Sequence, residues 1–364
     1  MIGTFAAEIV RSGGGAIAKM AVAAQEERSP NLREHLGPHS MTQWQEDTRI
    51  RLLYLAVALE FESPDLFARH LQWQRVAFNV RGVPTDVLTS NLEALAEVLA
   101  ERLPPEGVAA VQRAIDAGAA ALDASATGQQ DAASKSTLLD SDEPFRGISE
   151  RFLDAALNGR RDEACAEIRR AADEGVPIQD LYARVLGPAQ QELGRLWHLG
   201  RMGVQDEHIA SVATATAIAQ LHERIARAPR DGRLALGTTV EGDTHDIGLR
   251  MACDMLELDG WRTAVLGADT PAEDIIEACT RFQPALLILS ATMAIHLPAL
   301  RNTIAAVRKA LGDDCPKILA GGGPFAAPQN AAEVDLAAAV RADAAAGSLA
   351  AVAPAAQELA PKPS

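Results

Sequence analysis

Cysteine is scarce in this 364-residue chain and its four cysteines, Cys165, Cys253, Cys279 and Cys315, are widely spaced. No Cys-x-x-Cys pair is present, so neither a zinc site nor a disulfide framework is indicated, and a reducing cytoplasm is the expected compartment. Basic residues are also short. Lys and Arg total 34 against 49 Asp and Glu, a formal net charge of −15, with a pI near 5.0. No basic cluster stands out, which argues against nucleic acid as a partner. No apolar run reaches the roughly 18 uncharged residues of a membrane span. Glu8 and Arg11 interrupt the first apolar stretch, which argues against a signal peptide. Hydrophobic residues are plentiful at 48%, so sizeable cores are expected, and the length suggests two or three domains.

Residues 1–122 read as an all-helical domain. The first 41 residues are irregular, with helical stretches broken at Ser12-Gly13-Gly14-Gly15 and Leu36-Gly37-Pro38. From Met41 onward the apolar spacing is helical, with Ile50, Leu53, Tyr54, Val57 and Ala58 on one stripe. Ser63-Pro64 opens the next helix and Thr85 is a candidate cap for the one after. Residues 123–145 read as a linker, lacking any periodic apolar face. Residues 146–230 read as a four-helix antiparallel bundle, with helices near Ile148–Asn158, Arg161–Glu174, Ile178–Trp197 and Val204–Ala228. From residue 231 to 352 strands alternate with helices, which predicts a doubly wound α/β domain. Its five parallel strands are expected at Leu234–Thr238, Thr263–Leu266, Ala285–Ser290, Lys317–Ala320 and about Leu336–Val340. The intervening helices are expected near Ile247–Leu258, Ala272–Phe282, Leu297–Leu311 and Phe325–Ala332. Residues 353–364 read as a frayed tail.

The most informative stretch is Val240-Glu241-Gly242-Asp243-Thr244-His245-Asp246-Ile247-Gly248. It joins the first predicted strand of the α/β domain to a helix, where open parallel sheets bind ligands. His245 there can offer an imidazole nitrogen to a metal, while Asp243 two residues earlier takes the other ring N–H. Gly248 allows close approach to the backbone. Alone, the same residues also suit a solvated loop.

Asp-x-His-x-x-Gly at this place resembles the cobalamin-binding module of corrinoid proteins. The resemblance implies that His245 is the lower cobalt ligand and that Thr244, Asp246 and Ile247 share the cofactor loop. Upstream, Trp197 is followed after nine residues by Glu207-His208. With the sheet, residues 146–352 resemble the cobalamin unit of CarH-type adenosylcobalamin light sensors. That resemblance implies that Trp197 and Val204 pack at the adenosyl face and that Glu207 hydrogen-bonds the adenosyl group. It implies that His208 becomes the upper cobalt ligand after light. Ser290 and Thr292 would lie along the buried nucleotide tail, although the family pattern often has Leu where Thr292 stands. Gly321, Gly322 and Gly323 would make room for the tail's base.

The N-terminal domain departs from CarH, lacking a basic recognition helix. A helical, globin-like domain on such a unit resembles the photocobilins, which bind a bilin as well. Arg75 and Arg81 would then pair propionates and His70 and Trp73 would contact pyrroles. The alternative is a purely structural bundle with these residues at its surface. No Cys lies in residues 1–164, so no thioether link to a bilin can form in this domain. The implied protein is a cytoplasmic, non-enzymatic photoreceptor, homo-oligomeric with a light-dependent state, bound to neither membrane nor nucleic acid. No kinase, cyclase or DNA-binding output stands out, so the signal is expected to leave through oligomer state or a separate output protein. The rival reading is a corrinoid methyl carrier serving separate methyltransferases. A mutase is a more distant third, since no barrel-sized substrate domain is evident.

Overall fold

A computed structural model describes residues 2–37, 39–124, 136, 138, 142, 144–225, 229–326 and 334–362. They fall into two compact units. The first is built on residues 2–124 and takes in residues 198–201; the second is built on residues 144–197, 202–326 and 335–362.

Seven helices make up the first unit among the described residues: α1 (Ile2–Ser12), α2 (Gly14–Arg28), α3 (Leu32–Leu36), α4 (Met41–Glu60), α5 (Pro64–Asn79), α6 (Thr85–Ala100) and α7 (Pro105–Ala124). The irregular start is thus three helices, with Gly13 alone separating the first two. A capping box opens α4: the Gln43 N–H donates to Ser40 Oγ at 3.1 Å, and the Ser40 N–H donates to Gln43 Oε1 at 2.8 Å. Pro64 occupies the first turn of α5, where its missing N–H costs nothing. Thr85 lies inside α6 and Pro84 takes the cap position instead. Trp44 on α4 is fully buried, and its Nε1–H donates to Gln25 Oε1 on α2 at 2.9 Å. Asn91 on α6 donates to the same oxygen at 2.9 Å. One buried amide therefore ties three helices together.

The expected linker is shorter than 123–145. Asp123 and Ala124 end α7 and Phe145 starts the next helix, while 125–135 and most of the remainder lie outside the described residues.

The second unit begins with the bundle. Helices α8 (Phe145–Leu157), α9 (Arg161–Asp173) and α11 (Val204–Ile225) are regular. Between them α10 starts as a short α-turn, Ile178–Asp180, passes through a π-helical turn, Leu181–Leu186, and resumes as α-helix, Gly187–His198. The expected end of the fourth bundle helix, Ala226–Ala228, lies outside the described residues. Phe152, Ile168, Tyr182, Val185, Leu193 and Leu221 form the bundle core, and each fully buried large apolar side chain contributes roughly 1.5–3 kcal/mol.

The sheet follows: β1 (Leu234–Val240), α12 (Ile247–Leu258), β2 (Arg262–Thr270), α13 (Ala272–Phe282), β3 (Leu286–Ser290), α14 (Leu297–Leu311), β4 (Lys317–Gly321), α15 (Gly323–Ala326), α16 (Leu336–Val340), β5 (Ala344–Ala346) and α17 (Leu349–Leu359). All pairings are parallel, in the order β2-β1-β3-β4-β5. The chain reverses direction across the sheet between β1 and β3, which makes the ends of these two strands the place for a ligand. Gly237 on β1 lets α12 pack closely: a Cβ there would lie 2.5 Å from Cys253 Sγ.

Two expectations fail near the C-terminal end of the sheet. Residues 336–340 are helix α16, because Asp335 accepts a hydrogen bond from the Ala338 N–H and caps it; the fifth strand is Ala344–Ala346. Residues 353–359 are no frayed tail. They belong to α17, which accommodates Pro354 and buries Val352 and Ala356 in the core that includes Leu249, Ala252 and Leu256 of α12. The expected helix Phe325–Ala332 is described only to Ala326.

Candidate functional site

The site is built around a buried carboxylate. Asp243 follows β1 by three residues and is wholly buried. Its own carbonyl accepts hydrogen bonds from Thr239 Oγ1 and from the Asp269 N–H, which pin the loop to β1 and to the end of β2. Its Oδ1 accepts the His245 backbone N–H at 3.1 Å and lies 2.9 Å from His245 Nδ1. Its Oδ2 accepts the Thr292 N–H at 2.6 Å, just past β3, and lies 3.4 Å from Nδ1 of the buried His296. Burial alone would push this carboxyl up. The hydrogen bonds from His245, His296 and two backbone N–H groups outweigh it and hold Asp243 well below the usual carboxylate range. An ionised carboxylate only accepts, so His245 Nδ1 carries the proton and Nε2 keeps its lone pair.

His245 has a side chain 56% exposed. The Asp243 hydrogen bond raises its pKa against the opposing effect of burial, and the charges of Asp243 and Glu207 raise it further. On α11, Glu207 Oε1 accepts from Ser211 Oγ at 2.5 Å and Oε2 lies 3.6 Å from His208 Nε2. His208 is the more exposed of the pair, at 72%. Trp197 at the end of α10 and Val204 at the start of α11 leave large apolar surfaces exposed.

The remaining loop residues divide. Thr244 and Gly248 are exposed, and the position of a Cβ on Gly248 meets nothing within 4 Å. Ile247 packs against the bundle core. Asp246 accepts from Arg250 Nε at 2.8 Å, one turn along α12. Ser290 ends β3, paired with Thr239 and Gly321. Two of the three glycines of the triad are required by the packing of the neighbouring loop. A Cβ on Gly322, at φ 113°, would lie 2.1 Å from the Ala291 carbonyl oxygen, and one on Gly323 would lie 2.6 Å from that of Thr292. The absent side chains at these two positions make room for the neighbouring β3 loop, the loop whose Thr292 N–H holds Asp243. Gly321 pairs with Ala346 in the sheet.

His296 was missed in the sequence. It reaches Asp243 only because β3 lies beside β1, and no local pattern marks it.

A second polar cluster joins bundle to sheet. Tyr182, in the π-helical turn, donates to Asp254 Oδ2 at 2.6 Å, and His222 Nδ1 lies 2.9 Å from Asp254 Oδ1. Asp254 lies on α12, the helix that the cofactor loop leads into. Burial raises its pKa, against the hydrogen bonds from Tyr182 and His222.

In the first unit, His70 and Arg75 are buried, so neither is the surface residue of the structural-bundle alternative. Arg75 Nη1 donates to the Leu122 carbonyl at 3.3 Å and Arg81 Nη1 to the Ala77 carbonyl at 2.6 Å. Trp73 is 42% exposed and its ring lies near-parallel to that of His70 at 6.1 Å.

Comparison with known proteins agrees with this geometry. Two family models, each described as a B12 binding domain, match at residues 148–222 and 233–352, the bundle and the sheet. Dimethylamine corrinoid protein 3 of Methanosarcina acetivorans is 25% identical over 181 residues, covering 50% of this chain and 84% of the relative. The HTH-type transcriptional repressor CarA of Myxococcus xanthus is 33% identical over 127 residues, covering 34% of this chain and 42% of the relative. The solved monomethylamine corrinoid protein of Methanosarcina barkeri shares the fold, with a TM-score of 0.50 and 23% identity over 59% of this chain and 99% of its own. The chain carries a B12 binding domain pair. It is a cobalamin-binding protein.

The side chains fit such a group. His245 offers one half-exposed imidazole nitrogen with its tautomer fixed from behind. Gly248 leaves open space on the loop, and the bundle presents Trp197 and Val204 as exposed apolar surface.

Proposed function

We propose that the chain is a light-sensing adenosylcobalamin photoreceptor rather than an enzyme, with a bilin as second chromophore. The observation that carries this reading is that the bundle keeps Trp197 and Val204 exposed as apolar surface, in the same compact unit as the Asp243–His245 pair. A flat aromatic wall and a carboxylate acceptor suit an organic upper ligand bearing hydroxyls and an amine.

His245 Nε2 would ligate the cofactor's cobalt, and Asp243 keeps the ring in the tautomer that leaves Nε2 unprotonated. Trp197 and Val204 would exclude water from the bound cofactor, and Glu207 would accept hydrogen bonds from its adenosyl group. Bound adenosylcobalamin supplies a cobalt–carbon bond that visible light cleaves. His208, exposed beside Glu207, would supply a second imidazole to the cobalt after light. Tyr182 and His222 on Asp254 then transmit a bundle shift to α12, biasing homo-oligomer state or a separate output protein. The N-terminal unit, read as globin-like, takes biliverdin without a covalent link.

A second reading is favoured by the relatives named as dimethylamine and monomethylamine corrinoid proteins: a corrinoid carrier that passes methyl groups between methyltransferases. The lower His and the sheet serve both. The test is the absorption spectrum of purified protein loaded with adenosylcobalamin, before and after green light, with size in solution measured in parallel. A light-dependent change in both supports the sensor. Unchanged size, together with methylation of the bound corrinoid by a methyltransferase, overturns it in favour of the carrier.

A further inference from the structure

The first unit buries a cation that its own fold does not neutralise. Arg51 on α4 is fully buried. Its Nε donates to Gln74 Oε1 at 2.8 Å, and its Nη1 donates to Asn91 Oδ1 and lies 3.5 Å from Thr48 Oγ1. The Trp44 ring lies 5.1 Å from the guanidinium carbon. All of these groups are neutral, and Nη2 has no partner among the described residues. Asp47, one turn earlier, exerts some attraction, but its carboxylate lies 2.6 Å from His39 Nε2. Burial lowers the Arg51 pKa to about 10, which still leaves it charged at neutral pH. A buried guanidinium without a carboxylate is costly, and folded proteins ordinarily pair it.

A second unsatisfied group lies close by. His70 on α5 is buried, and its Nε2 has no partner among the described residues. It shares a helix face with Gln74, four residues on, which holds Arg51. Burial and the charge of Arg51 keep its pKa well below the usual histidine value, so the ring is neutral. The ring stacks on Tyr54 with centroids 3.5 Å apart and planes 6° from parallel. Trp73 continues the column at 14°, and its ring also stacks on that of His198 at 4.5 Å. Two orphaned nitrogens thus sit on facing helices beside a stack of parallel rings.

We propose that Arg51 and His70 form a carboxylate-recognition site for a flat conjugated ligand admitted between α4 and α5. A carboxylate supplies the charge that Arg51 lacks and accepts from Nη2, while one of its oxygens accepts from His70 in the Nε2–H tautomer. The rings of Tyr54, His70 and Trp73 supply an aromatic lining for the conjugated part. The site differs from the Arg75 and Arg81 pair expected from the sequence, since both of those side chains donate to backbone carbonyls. Biliverdin is one such ligand, and only that choice of probe rests on the bilin reading above.

The experiment titrates the full chain with biliverdin, biliverdin dimethyl ester, 2-naphthoate and methyl 2-naphthoate, following tryptophan fluorescence and ligand absorption. Each acid is expected to bind at least about tenfold more tightly than its ester, the size of a charge-assisted hydrogen bond. Arg51→Met is expected to remove that difference and leave ester binding unchanged. If Arg51→Met does not fold, the acid-to-ester contrast in the natural chain still decides. Naphthoate binding through Arg51 with biliverdin eluting free would leave the site standing and sink the bilin reading. Biliverdin binding as tightly in its ester form would sink the site and leave the bilin reading standing. Binding of neither acid overturns both.

Discussion

The two units bury charge in opposite ways. Asp243 is a wholly buried carboxylate with donors on both oxygens, drawn from its own loop and from the loop after β3. Arg51 is a wholly buried cation surrounded by neutral amides, with one nitrogen unpaired. The first network is complete and directs an imidazole outward. The second is incomplete and points inward. A complete network is a preorganised support for a metal ligand, whereas an incomplete one holds a standing cost that only an added partner relieves. Substitutions in the two units should therefore differ in sign and size.

The largest effect is expected from Asp243→Ala. It leaves the Thr292 N–H without its acceptor and releases His245, and should cost about 3 kcal/mol of stability in urea unfolding. A loss under about 1 kcal/mol would mean that the carboxylate is not the keystone described. Next comes His245→Ala, which leaves the support intact and removes what it supports. Stability should barely change, while cobalamin affinity falls by about 10–100-fold or the cofactor binds base-on. Unchanged affinity, with the same axial nitrogen signal in electron paramagnetic resonance of the cobalt(II) form, would refute the ligand role.

A third contrast is in pH. His70 is held neutral in the fold, its pKa lowered by burial and by Arg51. Its unfolded counterpart takes up a proton near 6.5, so this contribution is present above that value and is lost as pH falls below it. The slope is up to about 1.4 kcal/mol per pH unit. His70→Phe should flatten the acid limb of the unfolding profile, and an unaltered limb would contradict the assignment. Smaller still, Arg51→Met should change ligand-free stability by no more than about 1 kcal/mol in urea unfolding, because it removes an unpaired charge along with its hydrogen bonds. A loss as large as that of Asp243→Ala would erase the distinction between the units. The smallest dark effect belongs to His208→Ala: adenosylcobalamin should bind as before, and only the spectrum and size after light should differ. Identical photoproducts in mutant and natural chain would exclude His208 as the upper ligand.

How much of this could be read beforehand follows from how local each signal is. The Asp243–His245 pair spans three residues, so its geometry was available from spacing alone. Strands β1, β3 and β4 announce themselves as short apolar runs between breakers. Strand β5 has three alanines and sits between two alanine-rich helices, so neither period distinguishes them. His296 and the close approach of Gly322 to Ala291 depend on strand order, which no single segment encodes. Arg51 lies on a helical stripe whose burial depends on Gln25, Gln74 and Asn91 arriving from three other helices. The resemblance to bilin-binding proteins pointed instead to Arg75 and Arg81, which stand near Trp73 along the chain.

The π-helical turn Leu181–Leu186 sets the phase of α10. Such a turn carries one residue more than an α-helical turn, so it rotates everything beyond it by about 100° about the helix axis. Trp197 lies three turns further on and inherits that rotation. The indole therefore owes its heading to a single surplus residue in the same turn that sends Tyr182 to Asp254. A chain one residue shorter there would keep every side chain named above and aim the indole elsewhere.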